Sequence, residues 1–257
     1  MAQTPPAAPN SPSSSLGLHK VYGAFVTSSN GLPIVVIACK VFQSLLEKLM
    51  PADMAEQVTF MDYGLHRVPS KLTWAVQDAI DAVEHPSLIV LGYGLCGNGL
   101  KGINARQHTL LIPRTDDCIA ILLGSYKKYI QEFDTTPGTY YLTKGWLEAG
   151  SNPLQEYEEI KEKYGEKDAT WIMDQQYQHY ERLVFVTHNQ EDLEAYRPQA
   201  QEVAEYCQRW GYRYEEVLGS DIYVRRLIEV AMAIDKTDSD FVVIPPNGEV
   251  TQDLFMR

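Results

Sequence analysis

No apolar run in the sequence is long enough to cross a membrane. The longest runs, such as residues 34–39, are far shorter than the roughly 20 residues that a bilayer requires. A secretory leader is also missing, because residues 1–18 begin with MAQTPPAAPNSPSSS and contain neither a basic start nor an apolar core. This proline, serine and alanine composition predicts a disordered tail. We therefore expect a cytoplasmic protein without a membrane partner.

Basic residues are scarce. The chain has 22 lysine and arginine residues against 34 aspartate and glutamate residues, and its net charge is -12. Proteins that bind nucleic acids carry a basic surface that displaces counterions from the phosphates. The charge balance therefore excludes nucleic acid from the expected partners.

Cysteine is also rare, with 4 residues in a chain of 257. Disulfide frameworks are typical of small secreted domains. Four cysteines in a cytoplasmic chain of this length are therefore expected to be free, catalytic or bound to a metal ion. Their positions in the fold decide between these roles.

Short apolar runs alternate with amphipathic stretches along most of the chain, and this alternation is typical of βαβ units. It predicts an α/β fold with mostly parallel sheets, helices on both faces and two Rossmann-like lobes around a cleft. The N-terminal lobe is expected over residues 19–150 and the C-terminal lobe over residues 183–257. Between them, residues 151–182 predict a helical connector made of two helices that separate at Gly165.

Three cysteines follow predicted buried strands, at the end where open parallel sheets bind their ligands. Cys39 ends the run IVVIAC, Cys96 follows LIVLGYG, and Cys118 stands in the first turn of a helix predicted over residues 117–130. A helix N-terminus lowers the pKa of a nearby thiol, which favours thiolates at Cys96 and Cys118. Together the three predict a reactive or metal-binding site. Each alone can also be explained as a small buried hydrophobe, and Cys207, inside a predicted helix, is assigned to packing or surface.

The segment GYGLCGNG surrounds Cys96 with glycines. Gly94, Gly97 and the neighbouring Asn98 let the backbone approach a bound group closely and present amide donors, so we predict them as cofactor-binding residues. The alternative is a tight turn between a strand and a helix. The segment does not match the pattern GxGxxG at the start of a first βαβ unit, so no dinucleotide is expected.

Three further side chains are candidates for catalysis. Arg114, shortly before Cys118, can clamp a carboxylate or phosphate through two hydrogen bonds, and Lys144 can assist it. His66, in DYGLHRVP, can carry a proton or serve as a fourth metal ligand, although a loop histidine is commonly structural. Lys144 belongs to PGTYYLTKGW, which is either a lid over the cleft or part of an aromatic core.

Several segments together resemble a family of uncharacterised proteins, the domain of unknown function 1638. The resemblance rests on IAC near the start, the LH-x-x-P-x-x-L element at residues 65–72, LGYGLCGNG, IPR-x-x-DCI-x-x-LLGS and PGTYYLTKGW. It covers most of residues 33–182, and the strands that follow match only loosely. In the pattern of this family a histidine often precedes the Asp-Cys pair, whereas this chain has Asp116.

The resemblance implies no established reaction. Members of the family look like proteins of anaerobic bacteria and archaea that are often associated with corrinoid-dependent methyl transfer. This association implies thiolate–metal chemistry, and it points to a corrinoid protein or a methyltransferase as a partner.

Three functions are compatible with these residues. In the first, an enzyme of the lyase or transferase type holds an iron–sulfur cluster or a zinc ion through Cys39, Cys96 and Cys118. The metal then acts as a Lewis acid on a small anionic molecule. In the second, Cys39 and Cys96 form a metal-free acid–base pair like that of two-thiol racemases. In the third, the protein is a non-enzymatic carrier or assembly factor for a corrinoid or metal enzyme. A homo-oligomer is compatible with all three.

Overall fold

The computed structural model describes residues 19–20, 27–234 and 238–257. The tail predicted over residues 1–18 lies outside the described residues. The predicted α/β class is confirmed, with helices packed around two sheets whose strands are mostly parallel. No helix in the described part of the chain is long and apolar enough to cross a membrane.

The larger of the two sheets carries the cysteines. The strands of the protein are β1 (His19–Lys20), β2 (Ile34–Cys39), β3 (Gln57–Met61), β4 (Leu88–Gly92), β5 (Thr109–Pro113), β6 (Thr139–Thr143), β7 (Arg182–Thr187), β8 (Arg213–Leu218) and β9 (Phe241–Ile244). The larger sheet has the order β1–β3–β2–β4–β5–β9, with β1 and β9 antiparallel at its edges and the others parallel. Both β2 and β4 are buried along their whole length, which explains why their sequences are apolar on both faces.

Helices surround the two sheets. They are α1 (Gln43–Leu49), α2 (Pro69–Asp81), α3 (Ile119–Leu122), α4 (Tyr126–Thr135), α5 (Lys144–Glu148), α6 (Pro153–Tyr164), α7 (Glu166–Tyr177), α8 (Gln190–Cys207) and α9 (Ile222–Met232). In α2, the buried residues Leu72, Val76 and Ile80 recur at helical spacing and form one apolar stripe. The two helices predicted on either side of Gly165 are present as α6 and α7.

The smaller sheet contains β6, β7 and β8, all parallel. Arg182, the first residue of β7, is buried and joins this sheet to α4. Its guanidinium donates to Glu132 of α4 at 2.6 Å, to Glu215 of β8 at 2.9 Å and to Thr139 of β6 at 2.8 Å. Because a buried cation without partners would be costly, this network explains how a charged residue is accommodated in the strand.

The membership of the two sheets differs from the predicted lobe boundaries. β6 lies within the predicted N-terminal lobe, residues 19–150, yet it pairs with β7 of the smaller sheet. β9 lies within the predicted C-terminal lobe, residues 183–257, yet it pairs with β5 of the larger sheet, with Ile244 opposite Leu110. Tertiary contacts decide which strands pair, and a local apolar pattern does not contain that information.

The helix predicted over residues 117–130 is interrupted. Gly124, with a φ of 80°, separates α3 from α4, since its left-handed conformation ends a helix. The carbonyl of Leu122 accepts hydrogen bonds from Ser220 N at 3.1 Å and from His188 Nε2 at 3.0 Å. His188 follows β7 and Ser220 follows β8, both strands of the smaller sheet. The break between α3 and α4 is therefore in contact with the loops of the smaller sheet.

We expect Gly124→Ala to lower the free energy of unfolding by about 2–4 kcal/mol. The added Cβ would take an unfavourable φ and would lie 2.4 Å from the Ser220 Cβ. Gly102→Ala is the matched control, because Gly102 also has a positive φ, of 86°, but nothing lies within 4 Å of its Cβ position. This control should cost about 1 kcal/mol. Urea unfolding measures both losses, and equal losses would contradict the importance of the Gly124–Ser220 contact.

Candidate functional site

Three cysteines are gathered at the carboxyl end of the larger sheet. Cys39 is the last residue of β2, Cys96 lies in the loop after β4, and Cys118 directly precedes α3. Since β2, β4 and β5 are parallel neighbours, the segments that follow them leave the sheet at the same edge. The topology therefore brings these three segments together.

Two backbone hydrogen bonds hold the loop of Cys96 against the segment before Cys118. Leu95 N donates to Thr115 O and Cys96 N donates to Asp116 O, both at 2.8 Å. Cys96 takes a left-handed φ of 49°, which few residues other than glycine adopt. The surrounding contacts must compensate for this conformation, and they place Cys96 next to the turn that carries Cys118.

The predicted cofactor-binding residues Gly94, Gly97 and Asn98 occupy different environments. Gly94 packs against the neighbouring segment, since a Cβ there would lie 2.6 Å from the carbonyl carbon and oxygen of Asp117. Gly97 and Asn98 are exposed and have positive φ values of 63° and 69°. The absence of a side chain at Gly94 thus allows the loop after β4 to approach the backbone of Asp117 closely. Of the three, Gly97 lines the cleft beside the cysteines.

The three thiols lie within electrostatic reach of one another. Burial raises the pKa of Cys39 to about 11. Burial also raises the pKa of Cys96, and the charges of Asp117 and Cys39 raise it further. The pKa of Cys118 is raised by burial and then by the charges of Cys96, Asp117 and Cys39. A thiolate at one of these positions therefore opposes ionisation at the others.

These shifts contradict the prediction that helix N-termini make Cys96 and Cys118 thiolates. Cys96 lies in a turn, and the helix that follows Cys118 has only 4 residues, too few for a strong dipole. Burial removes the thiols from water and disfavours their charged form, and this effect outweighs that of the dipole. In the protein alone, the cysteines are therefore neutral thiols at neutral pH.

A cleft of about 660 Å³ lies between the loops of the larger sheet and the structure around the smaller sheet. We call it the thiol cleft. Its lining includes His66, Arg67, Cys96, Cys118, Tyr140 and Trp146. Cys39 is buried at the end of β2 and is not part of this lining. Two of the three thiols therefore face the cleft and the third lies behind them.

Aromatic side chains form one wall of the thiol cleft. Tyr140 of β6 packs edge-to-face against Tyr177 and Tyr180, with ring centroids 5.8 and 5.7 Å apart. The Tyr177 hydroxyl donates to the carboxylate of Glu156, which also lines the cleft. The segment PGTYYLTKGW supplies Tyr140 and Trp146 from β6 and α5, so it contributes to this wall of the cleft.

His66 and Arg67 stand at the rim of the thiol cleft, in the 3₁₀ turn Tyr63–Arg67, and both are exposed. The His66 ring centroid lies 6.0 Å from that of Trp146, and partial desolvation lowers the pKa of His66. His66 is therefore a neutral imidazole at neutral pH, the form in which it can accept a proton. Arg67 contributes a cation to the lining.

Lys144 and Arg114, the predicted anchors for an anion, lie outside the thiol cleft. Lys144 Nζ donates to Asp192 Oδ1 at 2.9 Å in a second cleft of about 430 Å³ between α1 and α8. The guanidinium of Arg114 is directed to the end of the chain, where it donates to the carbonyl of Met256. Proximity to Cys118 in the sequence thus does not bring the Arg114 side chain to the thiols.

The described residues contain no group of three or more histidine, cysteine, aspartate or glutamate side chains that is arranged to hold a metal ion. The three thiols are gathered but do not form a finished ligand set, for which sulfur atoms must lie about 2.3 Å from a zinc ion. Binding of one ion by all three would therefore require their side chains to move closer together.

Residues 60–220 match the model of a family described as a protein of unknown function, DUF1638. The chain belongs to this family. The DUF1638 match includes Cys96, Cys118 and the whole smaller sheet, but it begins after Cys39. No curated protein and no solved structure shows significant similarity to the chain.

Sequence analysis does not single out Arg67 or Trp146 as individual candidates, although each lies in a segment that carries the DUF1638 resemblance. Arg67 directly follows His66, and this adjacency is the signal that could have identified it. No comparable pattern identifies Trp146. A tryptophan that follows an aromatic strand is as typical of a hydrophobic core as of a binding site.

The raised pKa values predict slow alkylation of the thiols. With its pKa raised from 9.0 to about 11, Cys39 has ~100-fold less thiolate at neutral pH. We therefore expect iodoacetamide to modify Cys39 at least ~100-fold more slowly than a free thiol. The rate should rise about tenfold for each pH unit up to pH 9, because only the thiolate reacts.

Mass spectrometry of the modified peptides measures the rate at each cysteine. The same protein unfolded in urea supplies the reference rates. Fast labelling of Cys96 and Cys118 in the folded protein would show that they are thiolates, as the helix-dipole argument predicts.

Proposed function

We propose that the protein is a thiolate–metal enzyme in which Cys39, Cys96 and Cys118 bind a zinc ion or an iron–sulfur cluster. The thiol cleft would take a small anionic substrate. The observation that carries this proposal is the gathering of three thiols at one edge of the larger sheet, where Cys39 raises the pKa of Cys96 and both raise the pKa of Cys118. Several thiolates cannot coexist in a buried place without a compensating positive charge, and a thiophilic cation supplies that charge.

The chemistry of the donors fits such a metal group, because thiolate sulfur is the preferred ligand of iron–sulfur clusters and a common ligand of zinc. Three protein ligands also leave one coordination position for a substrate, as in catalytic zinc sites. When bound, the metal would supply Lewis-acid catalysis or activate a thiol for methyl transfer.

The side chains around the thiol cleft would bind the substrate and move protons. Arg67 lines the cleft, so it takes the anchoring role that sequence analysis assigns to Arg114 and Lys144. His66, with its lowered pKa, would accept a proton at neutral pH. The rings of Tyr140 and Trp146 would exclude water from the less polar part of the substrate.

The link to methyl transfer extends this proposal. A corrinoid protein or a methyltransferase as partner, and a cytoplasmic location, rest on the family resemblance and on the composition of the sequence. A small substrate in the thiol cleft would then be the donor or acceptor of the transferred group.

Metal-free thiol chemistry is less well supported. An acid–base pair of Cys39 and Cys96 needs one thiolate at neutral pH, whereas burial raises the pKa of both. A non-enzymatic carrier would use the same thiols to hold a metal cargo. Absence of turnover by a metal-loaded protein with its partner present would distinguish the carrier from the enzyme.

Metal analysis of protein purified without oxygen tests the proposal. We expect about one zinc ion or one cluster per chain, the latter with a broad thiolate-to-iron absorption band. The variants Cys39→Ser, Cys96→Ser and Cys118→Ser should each lower the metal content about tenfold or more, because each removes a ligand. Metal occupancy should also fall at low pH, since the thiols must lose their protons to bind.

Cys207→Ser is the matched control for these variants. Cys207 is buried in α8, and its pKa is raised by burial with no contribution from another cysteine. This variant should retain the metal. A wild-type protein that takes up neither zinc nor iron and sulfide under anaerobic conditions would contradict the proposal, and so would equal metal content in all four variants.

A further inference from the structure

The second cleft, which contains Lys144, lies at the carboxyl ends of strands from both sheets. We call this cleft, of about 430 Å³, the lysine cleft. Its lining includes Lys40, which directly follows β2, Lys144, which directly follows β6, and His188, which directly follows β7. Open parallel sheets bind their ligands at this end of the strands. The volume also lies within the range of about 300–1,000 Å³ that is typical of small-molecule sites.

The carboxylates of the lysine cleft already have hydrogen-bond donors. Asp192 accepts from Lys144 Nζ at 2.9 Å and from Asn189 Nδ2 at 2.8 Å. The three other carboxylates of the lining accept from neighbouring side chains, in the pairs Glu47–Gln43, Glu148–Tyr196 and Asp221–Arg225. In contrast, Lys40 and Lys48 form no ion pair with any residue that the structure describes. The charged groups of this cleft that still lack a partner in the described part of the chain are therefore cations.

Three hydrogen-bond donors of the lysine cleft belong to segments that contact one another. The 3₁₀ turn that begins at Lys40 contacts α5, which begins at Lys144. The ring of Tyr63 packs against Gly145 of α5, where a Cβ would lie 3.1 Å from the Tyr63 hydroxyl oxygen. This hydroxyl makes no hydrogen bond with the described residues, and Lys144 uses for Asp192 only one of the three donors of its ammonium group. Two ammonium groups and a phenol hydroxyl can therefore donate to one ligand.

His188 adds a hydrogen-bond acceptor to the lysine cleft. Its Nε2 lies 3.0 Å from the carbonyl oxygen of Leu122, and because a carbonyl oxygen only accepts, Nε2 carries the proton. Burial lowers the pKa of His188, so the imidazole is neutral at neutral pH. Its Nδ1 therefore has a lone pair that can accept a hydrogen bond from a hydroxyl group.

We propose that the lysine cleft binds a small phosphorylated molecule, whose phosphate group is held by Lys40, Lys144 and the hydroxyl of Tyr63. A phosphate group fits these donors better than a carboxylate does, because it has three strong acceptor oxygens and a charge of about −1.5 to −2 at pH 7. The rest of the molecule occupies the remaining volume, where one of its hydroxyl groups donates to Nδ1 of His188. The lysine cleft shares no lining residue with the thiol cleft, so this site does not depend on a bound metal.

Calorimetric titration with inorganic phosphate and with glycerol 3-phosphate tests this site. The ionic strength is held constant, because salt screens every exposed charge. We expect both probes to bind, glycerol 3-phosphate more tightly through its hydroxyl groups, and acetate to bind at least about tenfold more weakly than phosphate. Lys40→Gln and Lys144→Gln should each weaken phosphate binding about tenfold, because each removes a charged donor, and Tyr63→Phe should weaken it about threefold.

Lys101→Gln is the matched control, because Lys101 is exposed and lies outside the lysine cleft. This variant should bind phosphate as the wild type does, and so should Cys96→Ser, which alters the thiol cleft alone. A wild-type protein that does not bind phosphate would overturn the proposal, as would equal binding by Lys40→Gln, Lys144→Gln and Lys101→Gln. If acetate binds as tightly as phosphate, the assignment to phosphorylated molecules is wrong.

Discussion

The arrangement of the site depends on one contact between two backbone segments. The amides of Leu95 and Cys96 donate to the carbonyls of Thr115 and Asp116, and the absence of a side chain at Gly94 lets the segments touch. Parallel strands bring their ends to the same edge of a sheet, but they do not by themselves make the following loops converge. This contact does so, and the adjacency of the two cysteines in the thiol cleft follows from it.

Burial then determines the chemical state of the gathered thiols. A cysteine that is withdrawn from water and surrounded by other ionisable sulfur atoms resists losing its proton. Such a group is unreactive toward chance electrophiles, yet it becomes a strong ligand once a cation compensates the charge.

Local patterns predict much of this structure, and tertiary contacts explain where they fail. The apolar runs of β2, β4 and β5 identify buried parallel strands, and their order is enough to bring Cys39, Cys96 and Cys118 to one edge. β6 is missed because its aromatic sequence is also typical of a core loop. Nothing in the sequence of β9 itself predicts that this strand pairs with β5 of the larger sheet. The side chains of Arg114 and Lys144 are directed by tertiary contacts, with Met256 and Asp192 respectively, so these two residues are found away from the thiols.

The path of the chain has a mechanical consequence. The polypeptide leaves the larger sheet after β5, builds the whole smaller sheet, and returns as β9 alongside the strand that it left, with Phe241 opposite Pro113. The smaller sheet thus belongs to an insertion whose two ends continue into β5 and β9, which are adjacent strands of the larger sheet. A unit held in this way can rotate about its attachment, but it cannot twist freely as it could on a single linker. Motion of this kind would widen or narrow the thiol cleft while leaving Cys39 and Cys96, which precede β5 in the chain, in place.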